Sequence, residues 1–522
     1  MNILMVASEN DGLKGGKVGG IGDVVRDVPP SLAMEGLDVS VVTPSYGFLH
    51  RVPGARPVRS LTFRFGGTEE IAEVYEVPGK QQHRSVTHFV VDHPGFVSYE
   101  LGRYQIYCDD PPLMPHARDA TKFALFCLAV AEAVKRGVFG ALDCLHLHDW
   151  HAAFLLVLRK YHPAYESLRG IRTAFTIHNL AIQGVRPFEV ADSSLAAWYP
   201  ELVVDRSELA DPRWKNCLNP MAIGIRLADA VHTVSPSYAD EILLPSEKPR
   251  YYGGEGLEPD LQSAHEKGRL FGILNGCEYP EDRVAPRMEF PALLKLLEAG
   301  VLEWAGSQSN LMSSHFLAHS RLSALAAASR KPKILLTSVS RVVDQKMLLM
   351  VEPDSHSKSG LQGILEVLGD RGIYILLGTG DKQYEQFLTR MSGRFDNFIF
   401  LNGYSDACAA ALYANGSLFL MPSSFEPCGI SQMLAMRDGQ PCLAHKVGGL
   451  KDTIEDGVNG FLFNGATVKE QVDDFVWSLR EALHIEENDP GQWGDIRLNA
   501  AGSRFLWQDT VRQYMEKLYK KP

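Results

Sequence analysis

The 522-residue sequence is poor in the features that mark several large classes of protein. It holds no uncharged apolar run long enough to span a bilayer, and its first residues, MNILMVASEN, carry neither a basic start nor a long apolar core. A membrane location is therefore not expected, and the reducing cytoplasm is. The eight cysteines, at 108, 127, 144, 217, 277, 408, 428 and 442, are scattered and form no C-x-x-C pair, which argues against structural zinc or a disulfide framework. Basic residues number 52 against 63 acidic ones, and the formal net charge of −11 comes without any basic run. That balance excludes a general nucleic-acid or membrane-surface binder, so an anionic ligand has to be met by a local cluster of Lys and Arg. There is also no Asp-x-Asp pair of the kind metal-dependent sugar transferases use to hold a diphosphate.

What is present is a recurring pattern of short apolar runs: NILMVAS, VSVVTP, HFVVD, CLHLHD, TAFTIHN, AVHTVSP and FGILNG. Helical stretches such as ATKFALFCLAVAEAVKRG and NPMAIGIRLAD separate several of them, and this alternation predicts a parallel sheet covered on both faces. After a region rich in Pro, Ser and Ala the pattern resumes with KILLTSVS, IYILLGTG, FIFLNGY, LFLMPSS, PCLAHKVGG and GFLF, a second α/β domain. The expected division is 1–280 for the first domain, 281–330 for a linker or variable region and 331–500 for the second domain. Residues 501–522 form a terminal helix packing back on the first domain.

Ligands of open α/β sheets collect at the carboxyl ends of the strands, and the residues of interest fall there. Lys17 and glycines 19, 20 and 22 follow the first strand in KGGKVGGIGDVV. His148 and Asp149 follow CLHL, His178 and Asn179 follow TAFTI, and Glu426 follows LFLMPSSF. The glycine stretch suits either close approach of backbone N–H groups to a phosphate at a helix start or a tight turn whose glycines serve packing alone. A dinucleotide is disfavoured, because GIGDVV gives only G-x-G-x-x-V and the second strand ends in Thr43 and Pro44 instead of a ribose-binding acid. HLHDWH gathers His146, His148 and His151, but its Trp and apolar flanks favour a packed, hydrogen-bonded cluster over a metal site. In SVSRVVDQK, Arg341 and Lys346 stand five apart just after a strand; either alone suits a solvated helix start, and together they suit a diphosphate.

Ten strings in order along nearly the whole chain carry a resemblance. They are KVGGIGDVV, LHLHDWHAAFL, FTIHNLAIQG, LADAVHTVSPSYADEI, GILNG, SRVVDQK, LLGTGD, FLMPSSFEPCGISQ, VGGLKDTIEDGVNGFLF and FLWQDTVRQYMEKLY. The chain resembles the bacterial glycogen synthase and starch synthase family of retaining glucosyltransferases. The resemblance implies an α/β fold of two facing Rossmann-like domains (GT-B) with an interdomain active-site cleft, the first domain on the acceptor side and the second binding the nucleotide sugar. It implies elongation of an α-1,4-glucan from ADP-glucose with retention of configuration, and neither cofactor nor metal. The partners it implies are a nucleotide sugar and an α-glucan, with no nucleic acid and no membrane.

Carried onto this sequence, the family pattern gives Lys17, Arg341 and Lys346 to the diphosphate. Backbone N–H groups come from Gly19, Gly20 and the turn Cys428, Gly429, Ile430 and Ser431. It sets Glu426 over the donor sugar, lets His178 stabilise the reacting glucosyl group, and stacks Tyr404 on the donor base. Asp23, Asp149, Asn179 and Asn275 fall at sugar-positioning sites, where a structural role such as helix capping by Asp23 is the other reading. Eight residues beyond Glu426 stands Leu434, so paired acids are absent, and the family favours front-face attack assisted by the leaving phosphate. The sequence departs from the pattern at Met347, at His445 and Lys446 before the G-G-L string, in NGCEYPEDR, and over 281–330 and 351–362. The donor base, the acceptor and the oligomeric state stay open. The alternatives are another nucleotide sugar such as UDP-glucose, a small acceptor, or a catalytically weak carbohydrate-binding relative.

Overall fold

The computed structural model describes residues 1–520 apart from 82, 101, 112, 113, 280–286, 308–310, 329 and 330. The chain divides into two compact units. The first comprises Met1–Ser246, Gly253–Gly276 and Trp507–Pro522, and the second Glu247–Tyr252 and Cys277–Leu506.

The first unit is built on nine strands: β1 (Asn2–Val6), β2 (Asp38–Pro44), β3 (Arg56–Phe65), β4 (Thr68–Val77), β5 (Val86–Asp92), β6 (Cys144–His148), β7 (Arg172–Ile177), β8 (Ala230–Thr233) and β9 (Leu270–Gly272). They lie in the order β9-β8-β7-β6-β1-β2-β5-β4-β3. From β9 across to β5 every pairing is parallel, whereas β4 pairs with β5 and β3 with β4 antiparallel. Helices on both faces explain why β1 reads as an apolar run and why all five residues of β6, its two histidines included, are buried. The helix Ala117–Lys135 alone buries Phe123, Leu125, Phe126, Leu128 and Val130. The β3–β4 hairpin was not among the expected strands. Its segments alternate charged and apolar residues, as a sheet edge with one wet face does, and Gly66 and Gly67, at φ 59° and 80°, form the two-residue turn that joins them.

The strand order reverses about β1, whose two neighbours are β2 and β6. Loops after β1 and β6 therefore open the crevice at that switch point. The stretch from Trp507 to Tyr519 packs on this unit's sheet and on the helix Gly20–Met34. Trp507 Nε1 donates to Asp27 Oδ2 at 3.2 Å, Arg172 Nε donates to the Leu518 carbonyl at 2.6 Å, and the Tyr519 hydroxyl meets His146 Nδ1 at 2.8 Å.

The second unit has six strands: β10 (Ile334–Val339), β11 (Gly372–Gly378), β12 (Phe398–Asn402), β13 (Leu418–Met421), β14 (Cys442–His445) and β15 (Gly460–Phe463). They are parallel throughout, in the order β12-β11-β10-β13-β14-β15. This is the doubly wound order with its switch point between β10 and β13. Within 281–330, expected as a linker or variable region in which FPALLKLLEAGVLEWAG has a helical pattern, the described residues include two helices, Phe290–Gly306 and Ser313–Ala328. Leu293, Leu297, Val301, Ala318 and Leu322 on them join the core of this unit. Their apolar residues are spaced for burial even though the segment is rich in Ala and Ser.

Candidate active site

In the first unit the loop after β1 runs into the helix Gly20–Met34, with Gly19 as its N-cap. Gly16 serves packing, since a Cβ there would lie 2.2 Å from the Asn10 carbonyl oxygen, whereas a Cβ on Gly20 would meet open space. The two readings of this glycine stretch thus apply to different glycines. The helix start is already engaged by a residue the sequence did not single out. The Glu9 carboxylate, three residues after β1 at the start of the loop, accepts the N–H groups of Val18 at 2.8 Å and Gly19 at 2.6 Å, and the Tyr107 hydroxyl donates to its other oxygen at 2.8 Å. The Gly19 amide expected to meet phosphate is therefore satisfied within the protein, and only Gly20 keeps the open approach. Lys17 is exposed and donates to Asp23 Oδ1 at 2.6 Å, and Arg26 reaches the same oxygen at 3.0 Å. Asp23 is an ion-pairing residue of the first helical turn and does not cap it.

The loops after β6 and β7 meet next to each other. His148 Nδ1 lies 2.9 Å from His178 Nε2, so one proton is shared between the two rings. Burial, reinforced by the neighbouring imidazoles, holds both well below the ordinary histidine range, and they are neutral. Asp149 adopts φ 57°, a left-handed conformation that Asp tolerates better than most side chains, and its carboxylate accepts the His178 N–H at 2.8 Å. Burial pushes Asp149 up to about 8, against the backbone hydrogen bonds from His178 and Asn179 that favour its anion. His146 uses both ring nitrogens, on Tyr519 and on Thr176 Oγ1 at 2.6 Å, and stacks on His148. Within the packed HLHDWH string, His146 keeps no nitrogen for an ion, whereas His148 Nε2 and His151 Nδ1 are buried without a hydrogen-bond partner among the described residues. Asn179 folds back to accept the Ala181 N–H, and Asn275 is buried with its Oδ1 unpartnered among the described residues.

In the second unit, Arg341 and Lys346 follow β10 and Glu426 follows β13, so the switch point brings them together. Gln345 stitches the two loops: its side chain donates to the Phe425 carbonyl at 2.9 Å and its own carbonyl accepts the Ser424 N–H at 2.8 Å. Lys346 forms an ion pair with Glu426, both side chains largely buried, and the Ser423 hydroxyl lies 3.2 Å from Lys346 Nζ and 3.0 Å from Glu426 Oε2. Behind them the His445 Nδ1 meets the Ser423 carbonyl at 2.9 Å, and burial lowers that ring to about 4. Neutral His445, one of the departures from the family pattern, thus props this loop. Arg341 is exposed and has no ion pair among the described residues.

The turn Cys428–Ser431 leads into the helix Ser431–Arg437. Gly429 takes φ 77°, and the Ser431 hydroxyl lies 3.1 Å from that of Tyr413. Tyr404, just beyond β12, is exposed, with its hydroxyl on Asp406 at 3.0 Å. The sequence did not single out Glu9, Gln345 or Ser423. The last two lie inside the VVDQK and SSFEPCG strings, next to residues that were identified, and nothing in the spacing marks the first.

Residues 2–263 match the family described as starch synthase catalytic domain, and residues 327–483 match glycosyl transferases group 1. The chain is 32% identical to a glycogen synthase of Streptococcus equi subsp. equi, covering 100% of this chain and 99% of the relative. It is 33% identical to one of Streptococcus uberis, covering 99% of each. Among solved structures, the catalytic domain of starch synthase IV from Arabidopsis thaliana, bound to ADP and acarbose, superposes with a TM-score of 0.73 at 25% identity, over 99% of this chain and 98% of that one. A sucrose-phosphate synthase from Thermosynechococcus elongatus shares the fold at a TM-score of 0.52 and 15% identity, over 99% and 98% of the two chains.

Proposed function

The chain belongs to the glycogen synthase and starch synthase family, and on that premise we propose that it transfers glucose from ADP-glucose to the non-reducing end of an α-1,4-glucan with retention of configuration. The observation that carries this reading is the Lys346, Glu426 and Ser423 cluster at the switch point of the second sheet, with Arg341 beside it in sequence and free of a carboxylate. A departing nucleoside diphosphate accumulates negative charge, and fixed cations stabilise it best where water is scarce. Without donor, Lys346 is neutralised by Glu426. An arriving diphosphate takes the lysine as its counter-ion and releases the carboxylate to accept hydrogen bonds from the donor sugar hydroxyls.

The first unit contributes neutral polar groups suited to sugar hydroxyls. His178 and the protonated Asp149 stand at one strand end, and Lys17 adds a cation for phosphate. In the transfer itself the glucosyl C1–O bond to the diphosphate breaks as the acceptor hydroxyl attacks C1, and the departing phosphate oxygen takes the acceptor proton. ADP as the donor nucleotide is supported by the ADP bound to the Arabidopsis relative. No resident metal enters this scheme, because Arg341, Lys346 and Lys17 carry the phosphate charge.

The test is to incubate the purified protein with ADP-glucose or UDP-glucose, with and without glycogen, following nucleotide release, polymer growth and the anomeric configuration of the new linkage. Polymer growth from ADP-glucose, undiminished by chelator, is expected. Faster turnover of UDP-glucose, or transfer to free maltose in preference to glycogen, would replace the proposed donor or acceptor. Activity lost in chelator and restored by magnesium or manganese would replace the metal-free scheme.

A further inference from the structure

The segment PDSHSKSG, between the helices Asp344–Val351 and Gly360–Leu368, takes no part in the reaction and lies in the stretch least like the family pattern. It folds into a closed loop: Pro353 and Ser359 bridge, the Asp354 N–H donates to the Lys358 carbonyl at 2.8 Å, and Ser357 takes a positive φ of 62°. The loop brings three donor groups together. One oxygen of Asp354, one ring nitrogen of His356 and one oxygen of Asp473, on the helix Val468–Asn488, all lie within 4.8 Å of one another.

We propose that Asp354, His356 and Asp473 bind a divalent transition-metal ion that staples this loop to the helix Val468–Asn488. Each carboxylate is already held by one oxygen. Asp354 Oδ1 accepts the N–H groups of His356 at 2.8 Å and Lys358 at 2.9 Å, and Asp473 Oδ1 accepts the Ser355 N–H at 2.8 Å. Their Oδ2 atoms remain for a cation. His356 Nδ1 lies 3.1 Å from the Ser355 hydroxyl, a partner that can orient the ring. A metal-binding imidazole typically has such a partner on its other nitrogen, and metal-binding carboxylates are typically hydrogen-bonded in turn.

Charge gives a second, independent argument. Asp354 is only 8% exposed, and neither it nor Asp473 has a Lys or Arg ion-pair partner among the described residues. The lysine within the loop, Lys358, is bound to Glu366 at 2.5 Å. A cation between these two carboxylates would supply the opposite charge that no side chain provides. Two carboxylate oxygens and one imidazole, with His356 exposed and coordination positions open to water, suit Zn2+ better than Mg2+, which prefers oxygen ligands alone. The three residues lie on two elements of one unit, so the ion would act on stability and not on the transfer reaction.

The test uses the full chain, tag-free and stripped with chelator, then titrated with Zn2+ by calorimetry and melted with and without ~100 µM Zn2+. One Zn2+ per chain and a rise in Tm of about 2–4 °C are expected for the native protein, with no rise for His356→Ala and none for Asp473→Asn. His356 is exposed, so its variant keeps the fold and reports on the ion alone. A native protein that neither binds Zn2+ nor gains Tm overturns the proposal. An equal rise in the native protein and both variants does so too, because it places the ion elsewhere. A rise with Mg2+ at the same concentration and none with Zn2+ overturns the assignment of the ion.

Discussion

In the first unit, the groups at the carboxyl ends of β6 and β7 are uncharged where they are most buried: His148 and His178 share one proton, and Asp149 is held protonated up to about pH 8. In the second unit, the corresponding strand ends carry a full ion pair, Lys346 with Glu426, and an exposed Arg341. Both sheets put their groups at the carboxyl ends of parallel strands, so topology does not distinguish them. The chemistry they face does. Neutral donors and acceptors can recognise sugar hydroxyls without paying to desolvate a charge, whereas a diphosphate needs cations and can displace a carboxylate that neutralises them meanwhile.

The strongest way to break this contrast is to remove one member of the charged pair. Lys346→Ala leaves the Glu426 carboxylate buried without its counter-ion, and unfolding in urea is expected to show a loss of about 3 kcal/mol. Donor affinity or turnover should fall by roughly tenfold or more, since a charge-assisted contact to phosphate contributes about 1.5–3 kcal/mol. The double variant Lys346→Met, Glu426→Gln restores a neutral, packed pair. It is expected to recover most of the stability and none of the activity. Recovery of both would mean that the pair holds the fold and does not act on the donor.

The neutral side of the contrast is tested through Asp149. Its carboxyl is held near 8 in the folded protein against 3.8 as its ordinary value, so between those two pH values the folded state keeps a proton that the unfolded state has lost. Its contribution to stability therefore falls as pH rises from about 4 to 8 and is level beyond. Asp149→Asn removes that titration while its Oδ1 can still accept the His178 N–H. The difference in Tm between Asp149→Asn and the native protein should be near zero at pH 4.5 and grow in favour of the variant by several degrees at pH 8. A difference that does not change with pH would mean that Asp149 is ionised in the fold, and the first unit would then carry charge like the second.

These two sites were unequally legible in the sequence, for a physical reason. Strands covered on both faces are mostly apolar, so β1, β6, β7, β10 and β13 stand out, and the residues of interest lie in the loops that follow them. That rule finds Lys17, Asp149, His178, Arg341, Lys346 and Glu426. It misses the β3–β4 hairpin, whose RPVRSLTFRF and TEEIAEVYEV strands carry charges on a wet face, although the Gly66–Gly67 turn between them was a usable signal. It gives no signal for Ser313–Ala328, where Ala and Ser blur the amphipathic pattern although Ala318 and Leu322 are core residues. Glu9 and Ser423 escape for another reason. Their work is to hold backbone or side chains that only the folded chain brings near, ten residues away for Gly19 and 77 for Lys346.

The smallest effect on the fold, and the sharpest on the role of the glycine loop, is expected from Gly20→Ala. A Cβ at this position meets nothing within 4 Å, and Gly20 opens the helix Gly20–Met34, where alanine is the better residue. Stability should be unchanged or rise by up to about 1 kcal/mol. The same methyl group would project into the space through which a phosphate approaches the helix start, so the donor KM should rise severalfold while kcat for bound donor changes little. The neighbouring Gly19 amide cannot substitute, because the Glu9 carboxylate holds it at 2.6 Å. Unchanged donor affinity in Gly20→Ala would remove this loop's backbone from donor binding. Lys17 would then be the loop's one contribution, and recognition of the diphosphate would rest on the charged second unit even more than the contrast between the two sheets already implies.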